Sequence, residues 1–244
     1  MVRRHFYIPL AIGLLVSFGA TAQLLPTYGE ERAGLSAFTF LKLPIDPAST
    51  GVGGASLAMT DHSFGALINP ALISGGNQQG VFSANRALGG GINHDFVALT
   101  KARENGQHIA LTLNSLSTGS ILERTVWQPE GTGATTSAAL TCVGLGVSQA
   151  FSEYFHTGVQ LKYGLEQLGV YRAHNVYLDL GFLYKLDIAD LQFAAALTNF
   201  GPNTPLSNLP VGQESALAAT PQMFSMGIQW TAWKQGDHSL TPSL

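Results

Sequence analysis

Lys162, Glu166 and Asp179 are charged residues standing where an alternating strand pattern turns its small and polar side inward. Lys162 and Asp179 fall on successive runs joined by a hairpin, so they can lie across from or near one another. Opposite charges so placed form either a structural pair or the lining of a solute path, and both are cheaper inside a barrel than facing lipid. A reaction would need more. The seven histidines include no His-Glu-x-x-His, no Cys/His spacing suits a metal, and no Gly-x-Ser-x-Gly elbow is present. Gly51-Val52-Gly53-Gly54-Ala55-Ser56 lacks the third glycine and the lysine of a phosphate loop. Cys142 is the only cysteine, which excludes an internal disulfide. We therefore expect no enzyme, no metal and no cofactor. Asp61 and His62 admit two readings, a solvated turn or a pH-sensitive contact.

The elements that position these charges are β-strands. Val143, Leu145 and Val147 alternate with Gly144, Gly146 and Ser148; Val159, Leu161, Tyr163 and Leu165 alternate with Gln160, Lys162, Gly164 and Glu166. Leu178, Leu180, Phe182 and Tyr184 repeat the pattern against Tyr177, Asp179, Gly181 and Leu183. A period of two gives one face of large apolar groups and another of small or polar ones. Only 11% of the 244 residues are charged, against about 25% in soluble domains. Beyond the N-terminus no apolar stretch reaches the length of a spanning helix, about 20 residues. The expected fold is all-β, a transmembrane antiparallel β-barrel with an N-terminal plug. A soluble secreted β-sandwich is the alternative; it would carry Lys and Glu on its outward face and extract without detergent. The net charge of −3 gives no electrostatic reason to expect nucleic acid.

Three regions follow. Residues 1–22 read as a signal peptide, with Arg3 and Arg4, an apolar run from Ile8 to Phe18, then Ala20-Thr21-Ala22. Residues 23–78 read as a leader and plug, rich in glycine and proline. Residues 79–244 read as the barrel, with nine strands: 79–86, 91–102, 107–117, 120–128, 138–151, 155–168, 176–186, 191–200 and 222–233. Short connections at 87–90, 116–119, 152–154, 187–190 and 234–238 alternate with longer ones at 127–137, 169–175 and 201–221, which assigns the longer ones to the outer side. The connection at 103–106 fits this alternation poorly. Phe151, Tyr154, Phe155, Phe200, Trp230 and Trp233 fall near strand ends, as a headgroup girdle would. A tenth strand begins at His238, so the expected barrel is C-terminally incomplete, closed by another chain, or ends on that strand.

The segment FLKLPIDPASTGVGGASLAMTDHSFGALINPALI, residues 40–73, resembles the N-terminal region of the PorV/PorQ family, outer-membrane proteins of the type IX secretion system. Phe40-Leu41, Gly53-Gly54-Ala55, Met59 to Asp61 and Asn69-Pro70-Ala71 carry the likeness, and Leu197-Thr198-Asn199-Phe200-Gly201 resembles the family's strand end. The likeness runs from about Phe40 to Trp230, and Phe-Leu-x-Leu-Pro is nearer to PorQ. Where the family has a basic pair before the glycine turn, Pro47-Ala48-Ser49-Thr50 carries no charge, so that contact does not carry over. The family is related to long-chain fatty-acid transporter barrels, which have more strands than this chain. The resemblance implies a non-enzymatic role in protein secretion and surface attachment of cargo. Its partners would be outer-membrane lipid, other type IX or surface-attachment proteins, and cargo C-terminal signal domains. It gives Gly53, Gly54, Asn69, Pro70 and Ala71 as plug or gating candidates, and Gly201, Pro202 and Asn203, which open an outer loop, as partner-binding candidates. An outer-membrane channel for hydrophobic small molecules such as long-chain fatty acids is the other function it implies.

Overall fold

The alternating runs form one antiparallel sheet. In the computed structural model, which describes residues 36–60, 64–76, 79–205, 217–236 and 238–244, eight long strands follow one another as neighbours. They are β1 (Gly80–Gly89), β2 (Ile92–Ala102), β3 (Gln107–Ser117), β4 (Ala138–Ala150), β5 (Phe155–Leu168), β6 (Tyr171–Lys185), β7 (Gln192–Phe200) and β8 (Met223–Gln229). Every pairing is antiparallel. The faces divide as the period of two requires: Leu145, Leu161 and Leu165 are half exposed, at 56%, 56% and 50%, while Ser148, Gln160 and Asp179 are buried.

Residues 120–128 are not a strand of this sheet, contrary to the sequence expectation. β3 pairs directly with β4 from Ser117↔Ala139 onward, and the intervening chain makes a local hairpin, Ile121–Leu122 against Thr135–Thr136. Four apolar residues in that stretch imitate a strand, but its polar atoms are satisfied within the hairpin, as between Glu123 and Ala134. Losing one strand changes which connections share an end. The turn at 103–106 joins 151–154 and 186–191 at an end where every connection is short. The opposite end carries the 118–137 and 201–222 connections together with two tight turns, Gly90-Gly91 and Gly169-Val170. The expected loop at 169–175 is thus only a two-residue turn, and β6 begins at Tyr171.

The described part of the segment before β1 packs on the inner face. It contains a 3₁₀ turn at Thr39–Lys42 and three short helices, α1 (Pro47–Gly51), α2 (Gly65–Ile68) and α3 (Leu72–Gly75). Asp46 caps α1 by accepting from Ser49 N at 2.6 Å and Ala48 N at 3.3 Å, with Pro47 at the first helical position. Leu57, Ala58, Ala71 and Leu72 bury against Leu183, Ala194 and Ala196; Ala37, Phe38 and Phe40 bury against Leu116, Leu140, Cys142 and Tyr177. Each fully buried Leu or Phe contributes about 1.5–3 kcal/mol.

Among the described residues, no pairing joins β1 to β8, so the sheet is open. The expected tenth strand is instead one arm of a hairpin, His238–Leu240 against Trp233–Gln235. The chain then runs along β8, where Leu244 and Ile228 exchange both backbone hydrogen bonds, at 2.9 and 3.0 Å.

Candidate functional site

The contact between the inner wall and the packed N-terminal segment gathers most of the residues singled out by type and spacing. β5 and β6 build its wall. Gln160 lies opposite Asp179 and Lys162 opposite Tyr177, which makes Lys162 and Asp179 diagonal neighbours on one face. Lys162 Nζ donates to Asp179 Oδ2 at 2.6 Å and to Asn199 Oδ1 at 2.5 Å. The other carboxylate oxygen, Oδ1, accepts the Asn199 backbone N–H at 2.7 Å.

That backbone N–H is available because β7 carries a bulge. The register steps by two residues on β6, Leu178 to Leu180, and by three on β7, Phe200 to Leu197. Asn199 takes φ 56° there, a conformation asparagine tolerates better than most residues. Glu166 does not join the pair. Its carboxylate accepts the Phe38 backbone N–H at 2.7 Å, fixing the start of the packed segment where Phe38 itself sits at φ 54°.

Asn69-Pro70-Ala71 forms a rigid turn seated on the wall. Asn69 Oδ1 accepts from Ala71 N at 3.0 Å, while its Nδ2 donates to Leu57 O at 3.3 Å and to Phe182 O on β6 at 3.2 Å. The turn fits because Gly158 and Gly181 face each other across β5 and β6. A Cβ at Gly158 would stand 2.6 Å from Ala71 N, and one at Gly181 2.7 Å from the same nitrogen. Sequence reasoning missed the role of both glycines. The available signal was one inward glycine on each of two successive strands, Gly158 before Val159 and Gly181 between Leu180 and Phe182.

Gly53 and Gly54 stand apart from this seat. They are exposed, with φ of 67° and 89°, in the turn that closes α1, and a Cβ on either would touch nothing within 4 Å. Gly201 is held against the Val176 carbonyl, and Pro202 O accepts from Asn175 Nδ2 at 2.7 Å. Pro202 and Asn203 are exposed. Residues 206–216 of that loop, Asp61 and His62, and the expected signal peptide all lie outside the described residues.

A cavity of about 430 Å³ opens between the packed segment and the wall. Ile45, Leu57, Leu67 and Met226 make one side apolar; Thr112, Asn114, Gln160 and Lys162 make the other polar. Gln160 is held there by donating to Thr112 Oγ1 at 2.7 Å. A second buried network, also missed from sequence, joins Ser74 Oγ to Ser148 Oγ at 2.6 Å and to His156 Nδ1 at 3.3 Å. Among the described residues, no group of three His, Cys, Asp or Glu could hold a metal ion.

Fold and site together define a class: an eight-stranded antiparallel meander whose polar inner wall is filled by an N-terminal helical segment and whose apolar side faces outward. No protein-family model matches the chain, and no curated protein matches it in sequence.

Proposed function

We propose that the chain is a non-enzymatic outer-membrane component of type IX protein secretion and cell-surface attachment, of the PorV/PorQ kind, acting by binding protein partners. The observation that carries the membrane part is the inversion of polarity across the sheet. Large apolar residues stand exposed on the outside, while the inside buries an ion pair and a row of hydroxyl and amide groups. In water that order is unfavourable; in lipid around a polar lumen it is the favourable one. The reading requires the edge of β1, and the part of the β8 edge that residues 242–244 do not cover, to be paired in the membrane, since each unsatisfied backbone group in lipid costs several kcal/mol. Secretion enters through the resemblance of residues 40–73, and the connections at 118–137 and 201–222 offer partners a surface. Other type IX or surface-attachment proteins and cargo C-terminal signal domains are the partners in this reading.

A channel for hydrophobic small molecules is the second reading, favoured by the cavity between the packed segment and the wall. One experiment separates the two. Tagged chain is purified from detergent-solubilised outer membranes, and its bound proteins and lipids are identified by mass spectrometry. Surface-attachment proteins or cargo signal domains support the secretion reading. Bound fatty acids without such proteins replace it with the channel, and extraction without detergent removes the membrane assignment altogether.

A further inference from the structure

The 118–137 connection carries an apolar tip that nothing in the fold uses. Thr125 and Gln128 bridge each other, with Gln128 N donating to Thr125 O at 3.1 Å and to Thr125 Oγ1 at 3.1 Å. Val126 and Trp127 occupy the two central positions of this turn, and each is 92% exposed. The hairpin beneath them is fully laced. Glu123 N donates to Ala134 O at 2.9 Å, Thr132 N donates to Glu123 O at 2.9 Å, and Ile121–Leu122 pairs with Thr135–Thr136. Leu122 packs beneath Gly131, where any Cβ would meet its side chain at 2.5 Å. A tryptophan held in the open on an ordered hairpin is pre-organised apolar surface, the kind of group that dominates protein interfaces.

Its position argues against lipid as the occupant. On β3 and β4 the outward apolar rows end at the paired residues Leu113 and Val143. Beyond them the outward side turns to Ser115, Ser117, Ala139 and Thr141, and the hairpin arms add Thr118, Ser120, Thr132, Thr135, Thr136 and Ser137, with Ile121 and Leu122 as the only large apolar residues exposed between the last rung and the tip. At about 3.3 Å per extended residue, the outgoing arm has the length to carry the tip well clear of the last apolar rung. The exposed charges beside the tip, Glu123, Arg124 and Glu130, are net acidic, which suits a basic rim on a partner.

We propose that Val126-Trp127 is the anchor by which this chain docks into an apolar pocket, rimmed by basic side chains, on a partner protein. The proposal rests on the partner-binding reading above and names the residues that would carry it.

The test places a photoreactive benzoylphenylalanine at Trp127, at Asn203 and at the outward-facing Val159 of the full chain, in cells that make it. The expected result is a discrete protein adduct from position 127 and none from position 159. The adduct protein, once purified, is titrated against the chain in phosphatidylethanolamine/phosphatidylglycerol nanodiscs. Trp127→Ala weakens that binding by about 30-fold or more, the loss typical of an interface anchor, and Glu123→Lys with Glu130→Lys weakens it further. Both sites are exposed, so heat-modifiable gel mobility, which reports folding, stays unchanged. Adducts at 203 with none at 127, and unchanged binding by Trp127→Ala, overturn the anchor while leaving partner binding intact. No protein adduct at 127 or 203 overturns both. Quenching of Trp127 by brominated lipid, measured with Trp230 and Trp233 replaced by Phe, overturns the anchor in favour of membrane insertion.

Discussion

Gly158→Ala and Gly181→Ala test whether the Asn69-Pro70-Ala71 turn is seated on the wall. The added methyl at Gly158 would lie 2.6 Å from Ala71 N, and the one at Gly181 would lie 2.7 Å from Ala71 N and 2.8 Å from Pro70 Cδ. The obstacles are backbone and a proline ring, so no rotamer change relieves them. Overpacking of this kind costs about 1–3 kcal/mol. Displacing the turn also breaks the Asn69 bond to Phe182 O, which adds about 1 kcal/mol. Alanine returns about 0.5–1 kcal/mol through the less flexible unfolded chain. The net expectation for either variant is a loss of about 1–3.5 kcal/mol. Gly146→Ala is the control, because it lies on the same face and its methyl would meet Gln160 Cβ at 3.6 Å and Ala110 Cβ at 3.7 Å, ordinary contacts. It should be neutral or stabilising by up to about 1 kcal/mol. Urea unfolding of each variant in lipid vesicles, followed by tryptophan emission, gives the comparison. The double variant Gly158→Ala with Gly181→Ala should cost less than the sum, since both changes displace one turn. Agreement of Gly158→Ala and Gly146→Ala within about 0.5 kcal/mol, the usual margin for independent sites, would refute the seating.

Three further outcomes are expected. Lys162→Met and Asp179→Asn each strand a buried partner and should cost about 3 kcal/mol, the low end for buried pairs because the cavity beside Lys162 gives it some access to water. The double variant should recover about 1–3 kcal/mol in a double-mutant cycle of urea midpoints; strict additivity excludes a pair. Asn69→Ala removes three hydrogen bonds and should destabilise by about 2–3 kcal/mol, with earlier protease cleavage in residues 64–76. Tyr154, in the 151–154 turn, donates to Asp187 Oδ2 at 3.0 Å, and that bond is the main cause pushing its phenol up to about 12 from 10.0. A raised pKa means the folded state favours the neutral phenol, so this contribution is complete below pH 10 and fades as pH rises toward 12. Absorbance titration of Asp187→Asn at 295 nm should show one tyrosine ionising closer to 10.

β4, β5 and β6 were legible because large apolar residues recur there at every second position, and only an extended chain converts that period into a continuous face. The Lys162–Asp179 pair was legible for the same reason, since both fall in the inward series. The seat of Asn69 was not. Its partners are glycines, which contribute no pattern, and their alignment depends on the two-residue turn at Gly169-Val170. Placing that turn at 169–175 leaves the register of β5 on β6 undefined, and with it the facing of Gly158 and Gly181. Asn199 was hidden by the bulge, because one extra residue on β7 breaks the alternation at the point where its backbone becomes useful. Residues 120–128 misled in the opposite sense: Ile121, Leu122, Val126 and Trp127 supply apolar content, but pairing decides a strand, and here the chain pairs with itself.

The polar wall and the irregular segment complete each other's hydrogen bonding, and this bears on which function is favoured. Glu166 accepts from Phe38 N, Phe182 O from Asn69, Ser148 bonds Ser74, and Lys185 Nζ donates to Gly75 O at 2.6 Å. These contacts are spread along the segment from Phe38 to Gly75, so releasing it as a body breaks all four. At about 1 kcal/mol net each, that is about 4 kcal/mol before any apolar contact is lost, and it leaves about one molecule in a thousand open. A channel that worked by expelling the whole segment would need a ligand binding the open form about a thousandfold more tightly to reach even parity. The cavity gives a ligand little reason to prefer the open form, because most of its apolar side is made by the segment itself, through Ile45, Leu57 and Leu67, with Met226 added by the wall. A hydrophobic solute there would hold the segment in place. The arrangement therefore favours a scaffold whose packed segment stays in place over a gate that opens by losing its plug.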